Sequence, residues 1–112
     1  MFNDAGTVIA ANALDTAITH IQAHSGARGA AGTSNVIGSR VAVNGTVDAD
    51  GDIIWVVPFT GLGATVSVAE FSYWTASAAG TCVGGSVRTT GDATSNAAGE
   101  YTATIVETST AS

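Results

Sequence analysis

From Ala64 to Gly85 the chain reads ATVSVAEFSYWTASAAGTCVGG, and its side-chain character recurs with a period of two. Val66, Val68, Ser72 and Trp74 fall on one parity, and Ser67, Ala69, Phe71 and Tyr73 on the other. Alternation of β-branched and aromatic residues predicts a strand. The small residues Thr75 to Gly80 break it, Thr81-Cys82-Val83 resume it, and Gly84-Gly85 interrupt it again. The segment therefore predicts a β-hairpin carrying the densest aromatic cluster of the chain, its second strand continuing past a bulge to Arg88.

The remaining elements follow from the same patterns. Met1 to Gly6 reads as a short arm, and Thr7 is placed to cap a helix over 8–17. Ile9, Ala13 and Ala17 recur at four-residue spacing, with Leu14 and Ile18 as a neighbouring row, which predicts an apolar stripe packed on a sheet. The period shortens at Ile18, predicting a strand to His24. Ala27 to Ser34 is a Gly/Ala-rich loop. Arg40 to Val47 alternates again, with Asn44-Gly45 as a tight turn or bulge inside it. In the loop 48–52, Asp50-Gly51 suits a type I′ turn. Ile53 to Phe59, IIWVVPF, is apolar on both faces, as in a central strand or one covered by another subunit. Pro58 cannot donate to a ladder and so marks a strand end or an edge. Gly61 to Gly63 is a turn, residues 89–99 form a polar loop, and Glu100 to Thr108 alternate as a closing strand. These elements predict one all-β domain over residues 1–112, an antiparallel, jelly-roll-like β-sandwich with one short N-terminal helix.

Composition narrows the mode of life. Only 11% of the 112 residues are charged, the net charge is −6, lysine is absent, and the cations are Arg28, Arg40 and Arg88. Without a basic stripe the chain is not expected to bind nucleic acid or an anionic membrane surface. A surface poor in charge suits burial against neighbouring subunits. Cys82 is the single cysteine, so no internal disulfide forms, and its apolar strand predicts a small buried hydrophobe. No signal-like start and no apolar run long enough for a membrane are found, so synthesis in a cytoplasm is expected.

Candidate chemistry is sparse. His20 and His24 would share a helix face, but on a strand their Cα atoms are ~13 Å apart, too far to share a metal unaided. Hydrogen bonding in or beside the sheet is expected of them. Asp48, Asp50 and Asp52 have the opening spacing of a calcium loop, but Ile53 and Phe59 stand where that loop needs Gly and Glu. A solvated turn is expected, with weak calcium binding as the alternative. Trp55, Phe59, Phe71, Tyr73, Trp74 and Tyr101 could form a sugar platform, yet strand aromatics more often fill a core. Trp55, Phe71 and Trp74 are assigned to the core. No catalytic residue and no cofactor is expected.

With these residues in view, the chain resembles a family of small structural proteins of tailed bacteriophages, the minor tail or tail-fibre type. The resemblance runs through THIQAHSG (Thr19 to Gly26), GTSN (Gly32 to Asn35) and Arg40. It is closest at VAEFSYWTA (Val68 to Ala76), followed by Gly80 and Gly84-Gly85. It departs at Val36-Ile37, where the family often has an acid, and at Gly38-Ser39, where an aromatic and Ala often precede the Arg. It implies a non-enzymatic virion component, made in the host cytoplasm, whose partners are other tail or capsid subunits. A minor tail protein is the first reading, and a capsid decoration protein stabilising the head is the alternative. A carbohydrate-binding module for host attachment is the further one. The second apolar face of the IIWVVPF strand predicts a homo-oligomer with Ile54 and Val56 at or near the contact, and the resemblance favours a trimer.

Overall fold

The computed structural model describes residues 3–88 and 93–108. One helix, α1 (Asp4–Ala17), precedes seven strands: β1 (His20–His24), β2 (Val36–Ala42), β3 (Thr46–Val47), β4 (Ile53–Phe59), β5 (Glu70–Trp74), β6 (Cys82–Val87) and β7 (Tyr101–Glu107). They form two antiparallel sheets, ordered β2-β1-β5-β6 and β3-β4-β7. The architecture is all-β and sandwich-like, because one core joins the two inner faces. Ile21, Ala23, Phe71 and Tyr73 from the first sheet pack with Ile53, Trp55, Val57, Phe59, Ala103 and Ile105 from the second. Trp55 meets Tyr73 with ring centroids 5.0 Å apart, and Phe59 stacks on Phe71 at 5.7 Å. Strand alternation in β4 and β7 thus becomes one buried face and one open face.

Several boundaries differ from expectation. The helix starts at Asp4, because Asn3 caps it by accepting from the Gly6 N–H at 2.9 Å. Thr7 is therefore an interior residue, and its hydroxyl bonds back to Asp4 O at 2.9 Å. Of the two predicted apolar rows, only Ile18, at the C-cap, is buried. Ile9, Ala13 and Ala17 face solvent, Ile9 being 71% exposed, while Thr7 and Ala11 are buried. Close approach selects that row: a Cβ on Gly51 would lie 3.0 Å from Thr7 Cβ. The first strand begins at His20 rather than Ile18. The alternating stretch 40–47 is not one strand: β2 starts at Val36, ends at Ala42, and the chain then crosses to the other sheet as β3.

The central hairpin is present as β5 and β6, with a register shift opposite Tyr73 and Trp74. Its first strand is shorter than the alternation from Ala64 suggests. Residues 66–68 leave the sheet and pair with 93–95, through Val68 N–H to Ala93 O and Ser95 N–H to Val66 O, both 2.9 Å. The loop 48–52 has no type I′ turn, since Gly51 has φ +84° and Asp50 has no positive φ. Gly51 N–H instead reaches Asp48 O at 3.1 Å, giving a longer loop with glycine at the left-handed position. Pro58 lies inside β4, paired with Thr102. It is tolerated because β3 covers only Ile53 and Ile54, leaving one side of β4 open beyond them. Of the polar loop 89–99, residues 89–92 lie outside those described.

Candidate functional site

The first sheet has a second buried layer on its outer face. On β1 and β5 the residues pointing away from the core are His20, Gln22, His24, Glu70, Ser72 and Trp74; His20 and Glu70 are half-buried, and Gln22, His24, Ser72 and Trp74 are buried. The Gly/Ala-rich loop covers His24, Ser72 and Trp74. Gly32 has φ +70°, and a Cβ there would lie 2.7 Å from Cys82 Sγ and 3.3 Å from Ser72 Cβ. Only glycine allows the loop to lie this close. Cys82 is half-buried beneath it, rather than enclosed in the apolar core as expected.

Within this layer the polar atoms are paired. His24 Nδ1 lies 2.7 Å from Ser34 O, and Nε2 lies 2.7 Å from Ser72 Oγ. A carbonyl only accepts, so Nδ1 carries the proton, and Nε2 of the neutral ring accepts from the Ser72 hydroxyl. Ser72 Oγ in turn accepts from Trp74 Nε1 at 2.7 Å. Burial holds His24 below its ordinary value of 6.5, outweighing the Ser34 bond and Glu70, which act the other way. Gln22 Nε2 donates to Ile37 O at 2.8 Å, tying β1 to β2.

A serine beside a histidine invites a nucleophilic reading, but the surroundings argue for packing. Ser72 and His24 are both fully buried, and a backbone carbonyl, not a carboxylate, orients the ring. Hydrogen bonding beside the sheet is the role observed for His24. His20 stands apart, with Nδ1 2.8 Å from Thr19 Oγ1.

Charged groups pin the covering segments. Arg28 Nη1 pairs with Glu70 Oε1 at 2.6 Å, tying the Gly/Ala-rich loop to β5. The Arg40 guanidinium sits 3.6 Å from the centroid of the Trp74 ring. Its Nη1 donates to Ala76 O at 3.0 Å and Ala79 O at 2.7 Å, closing the β5–β6 turn. Tyr73 Oη donates to Glu107 Oε2 at 3.0 Å, and burial pushes the Tyr73 phenol well above its usual range.

The aromatic residues expected in the core divide between the two layers. Trp55 and Phe71 occupy the space between the sheets, whereas Trp74 is buried under the loop on the opposite face. With both tryptophans buried, they form no open sugar platform. Carboxylate oxygens of Asp48, Asp50 and Asp52 lie within 4.8 Å of one another. Asp48 Oδ1 is already used, accepting from Asp50 N at 2.9 Å and Asp52 N at 3.0 Å.

The second sheet presents a different surface. Its outer face carries Ile54, Val56 and Pro58 on β4 beside Val106, Thr104 and Thr102 on β7, in direct register. Val56 is 65% exposed and Val106 51%, while Ile54 is half-buried. None of these six residues is charged. A groove of about 490 Å³ opens beside Glu70 and Arg88 and is lined by both polar and apolar residues. Among the described residues, no helix is long and apolar enough to cross a membrane. Comparison with known proteins finds no matching family model, curated protein or solved structure.

Proposed function

We propose that this protein is a small structural subunit of a tailed-phage virion, a minor tail component that assembles through the open face of its three-stranded sheet. One observation carries the reading: a contiguous uncharged face, with Val56 65% exposed, on a chain whose net charge is −6. Exposed apolar patches on acidic domains mark contact sites, because charge keeps the rest of the surface from associating at random. The virion assignment rests on the resemblance of Thr19 to Gly26 and Val68 to Ala76 to the phage family. The partners are other virion subunits, copies of this chain among them. Hairpins that pass alternately between the two sheets are read as a reduced jelly-roll wiring.

The test is the copy number and location of this chain in purified particles, by quantitative mass spectrometry and antibody labelling. A few copies at the tail are expected. Hundreds of copies over the head would favour the capsid decoration alternative, for which the same uncharged face suits a shell. Absence from the particle would reject both. Burial of Trp55 and Trp74 weighs against the carbohydrate-binding alternative.

A further inference from the structure

Each outermost strand of an open sheet offers a row of unpaired backbone groups, and folded proteins blunt such edges. Here the edges are β2, β6, β3 and β7. β2 has a register shift along β1, a left-handed Gly38 and Arg40. β6 has a shift along β5 and the pair Gly84-Gly85. β3 is two residues long. β7 has none of these protections. Its seven residues, Tyr-Thr-Ala-Thr-Ile-Val-Glu, run in unbroken register with β4 from Phe59↔Tyr101 to Ile53↔Glu107. It contains no Lys, Pro or Gly, and its one charge, Glu107, stands at the end. Among the described residues, no strand pairs with its outer side. The first sheet does not shield it either. A groove of about 310 Å³, lined by Ser86, Val87 and Arg88 on one side and Thr104, Ile105 and Val106 on the other, with Phe71 at its base, separates β7 from the edge of β6.

We propose that β7 is a pairing edge for a second copy of this chain, antiparallel about a two-fold axis at Thr104. The two three-stranded sheets then become one of six strands. The side-chain register argues for this occupant. In the two-fold register Thr104 faces the partner's Thr104, and Thr102 faces the partner's Val106. Ala103 faces the partner's Ile105, and Glu107 faces the partner's Tyr101. No carboxylate opposes a carboxylate, although each chain carries −6. Thr–Thr and β-branched pairs are favourable neighbours across strands. A basic strand would find no acid along β7 before Glu107. The pairing also makes the uncharged outer face continuous across the axis. It goes beyond the virion assignment and stands or falls independently of it.

The test uses the full chain in solution. Light scattering and sedimentation at micromolar concentration are expected to give twice the chain mass. β7 amides should exchange more slowly as concentration rises. Thr104 is exposed, so Thr104→Lys and Thr104→Glu should each keep the native circular dichroism spectrum and run as monomers, because like charges then meet at the axis. An equimolar mixture of the two variants should restore the doubled mass. A monomeric or trimeric native chain would overturn the pairing. So would a folded variant that stays dimeric, or a mixture that stays monomeric. Particle composition decides the virion reading separately.

Discussion

His24 Nε2 lies 2.7 Å from Ser72 Oγ, although the two residues are 48 positions apart. Adjacent strands make them diagonal neighbours on one face, with His24 paired to Glu70 and Gln22 to Ser72 in register. The hydroxyl gives its proton to the ring and takes one from Trp74. A second ring proton would displace the Ser72 proton from its acceptor. His24 is therefore expected to stay neutral in the native protein.

That neutrality predicts a pH dependence. The folded value lies below the unfolded value of 6.5. Above the unfolded value both states are neutral and pH has no effect through this group. As pH falls below it, the unfolded chain takes up a proton that the native chain refuses, and stability declines until the folded value is reached. Denaturant midpoints of the native chain and of His24→Gln, measured from pH 8 to pH 5, should converge as pH falls. Parallel curves would show that the imidazole is not held neutral.

Trp74 joins the loop, the turn and the sheet through one side chain. Trp74→Ala removes its packing, the contact with Arg40 and the donor to Ser72, and should cost about 3–5 kcal/mol. Trp74→Phe keeps most of the ring contact but leaves Ser72 without its donor, at about 1–3 kcal/mol. Urea unfolding of both variants measures the order. A Trp74→Phe variant as stable as the native chain would show that the hydrogen bond contributes nothing.

Gly45 is required by closeness rather than by φ. Its N–H donates to Asp15 Oδ1 at 3.1 Å, and a Cβ there would lie 2.5 Å from that oxygen and 2.7 Å from Trp55 Nε1. Trp55 Nε1 is buried with no hydrogen-bond partner among the described residues, so the junction has no spare room. Gly45→Ala should cost about 1–3 kcal/mol by overpacking, read as a lower Tm with an unchanged spectrum. An unaltered Tm would show that α1 moves away freely.

Strands with one wet face were legible in the sequence. Tyr101, Ala103 and Ile105 alternate with Thr102, Thr104 and Val106, and the core takes the first set. β5 was harder, because Ser72 and Trp74 on its second face are buried by a loop with almost no side chains of its own. Small side chains also hid the helix face. Thr7, Ala11, Ala13 and Ala17 differ little in hydropathy, so Ile9 dominated the pattern, whereas the close approach of Gly51 decided the packing. Distance in sequence hid the His24–Ser72 pair, and no local spacing could have revealed it. The open face of β4 was visible as Ile54 and Val56. Its extension through Val106 required the register with β7.

The acidic turn is expected to be held by its own backbone. Asp48 Oδ1 accepts two N–H groups, so Asp48→Asn keeps an acceptor and Asp48→Ala leaves two donors to water. The alanine variant should lose about 1 kcal/mol and the asparagine variant less. Millimolar calcium should leave the native Tm unchanged. A calcium-dependent rise that disappears in Asp50→Asn would show that the three carboxylates hold an ion.

The open face of the second sheet separates folding from assembly. Val56 points away from the core and is 65% exposed, so Val56→Asp removes little buried area. Its cost should be about 1 kcal/mol, the span of strand propensities at exposed positions. Trp55 and Val57, on either side of it, are buried, and a charge at either would unfold the chain. Val56→Asp should therefore fold, melt a few degrees lower, and place a carboxylate in the middle of the uncharged face proposed for assembly. Burying that charge without a partner is strongly unfavourable. Incorporation into particles should be lost, and Val56→Thr, which keeps the β-branched shape, should restore most of it. The measurement is the ratio of this chain to a reference subunit in particles made with each variant. Full incorporation of folded Val56→Asp would show that assembly uses another surface.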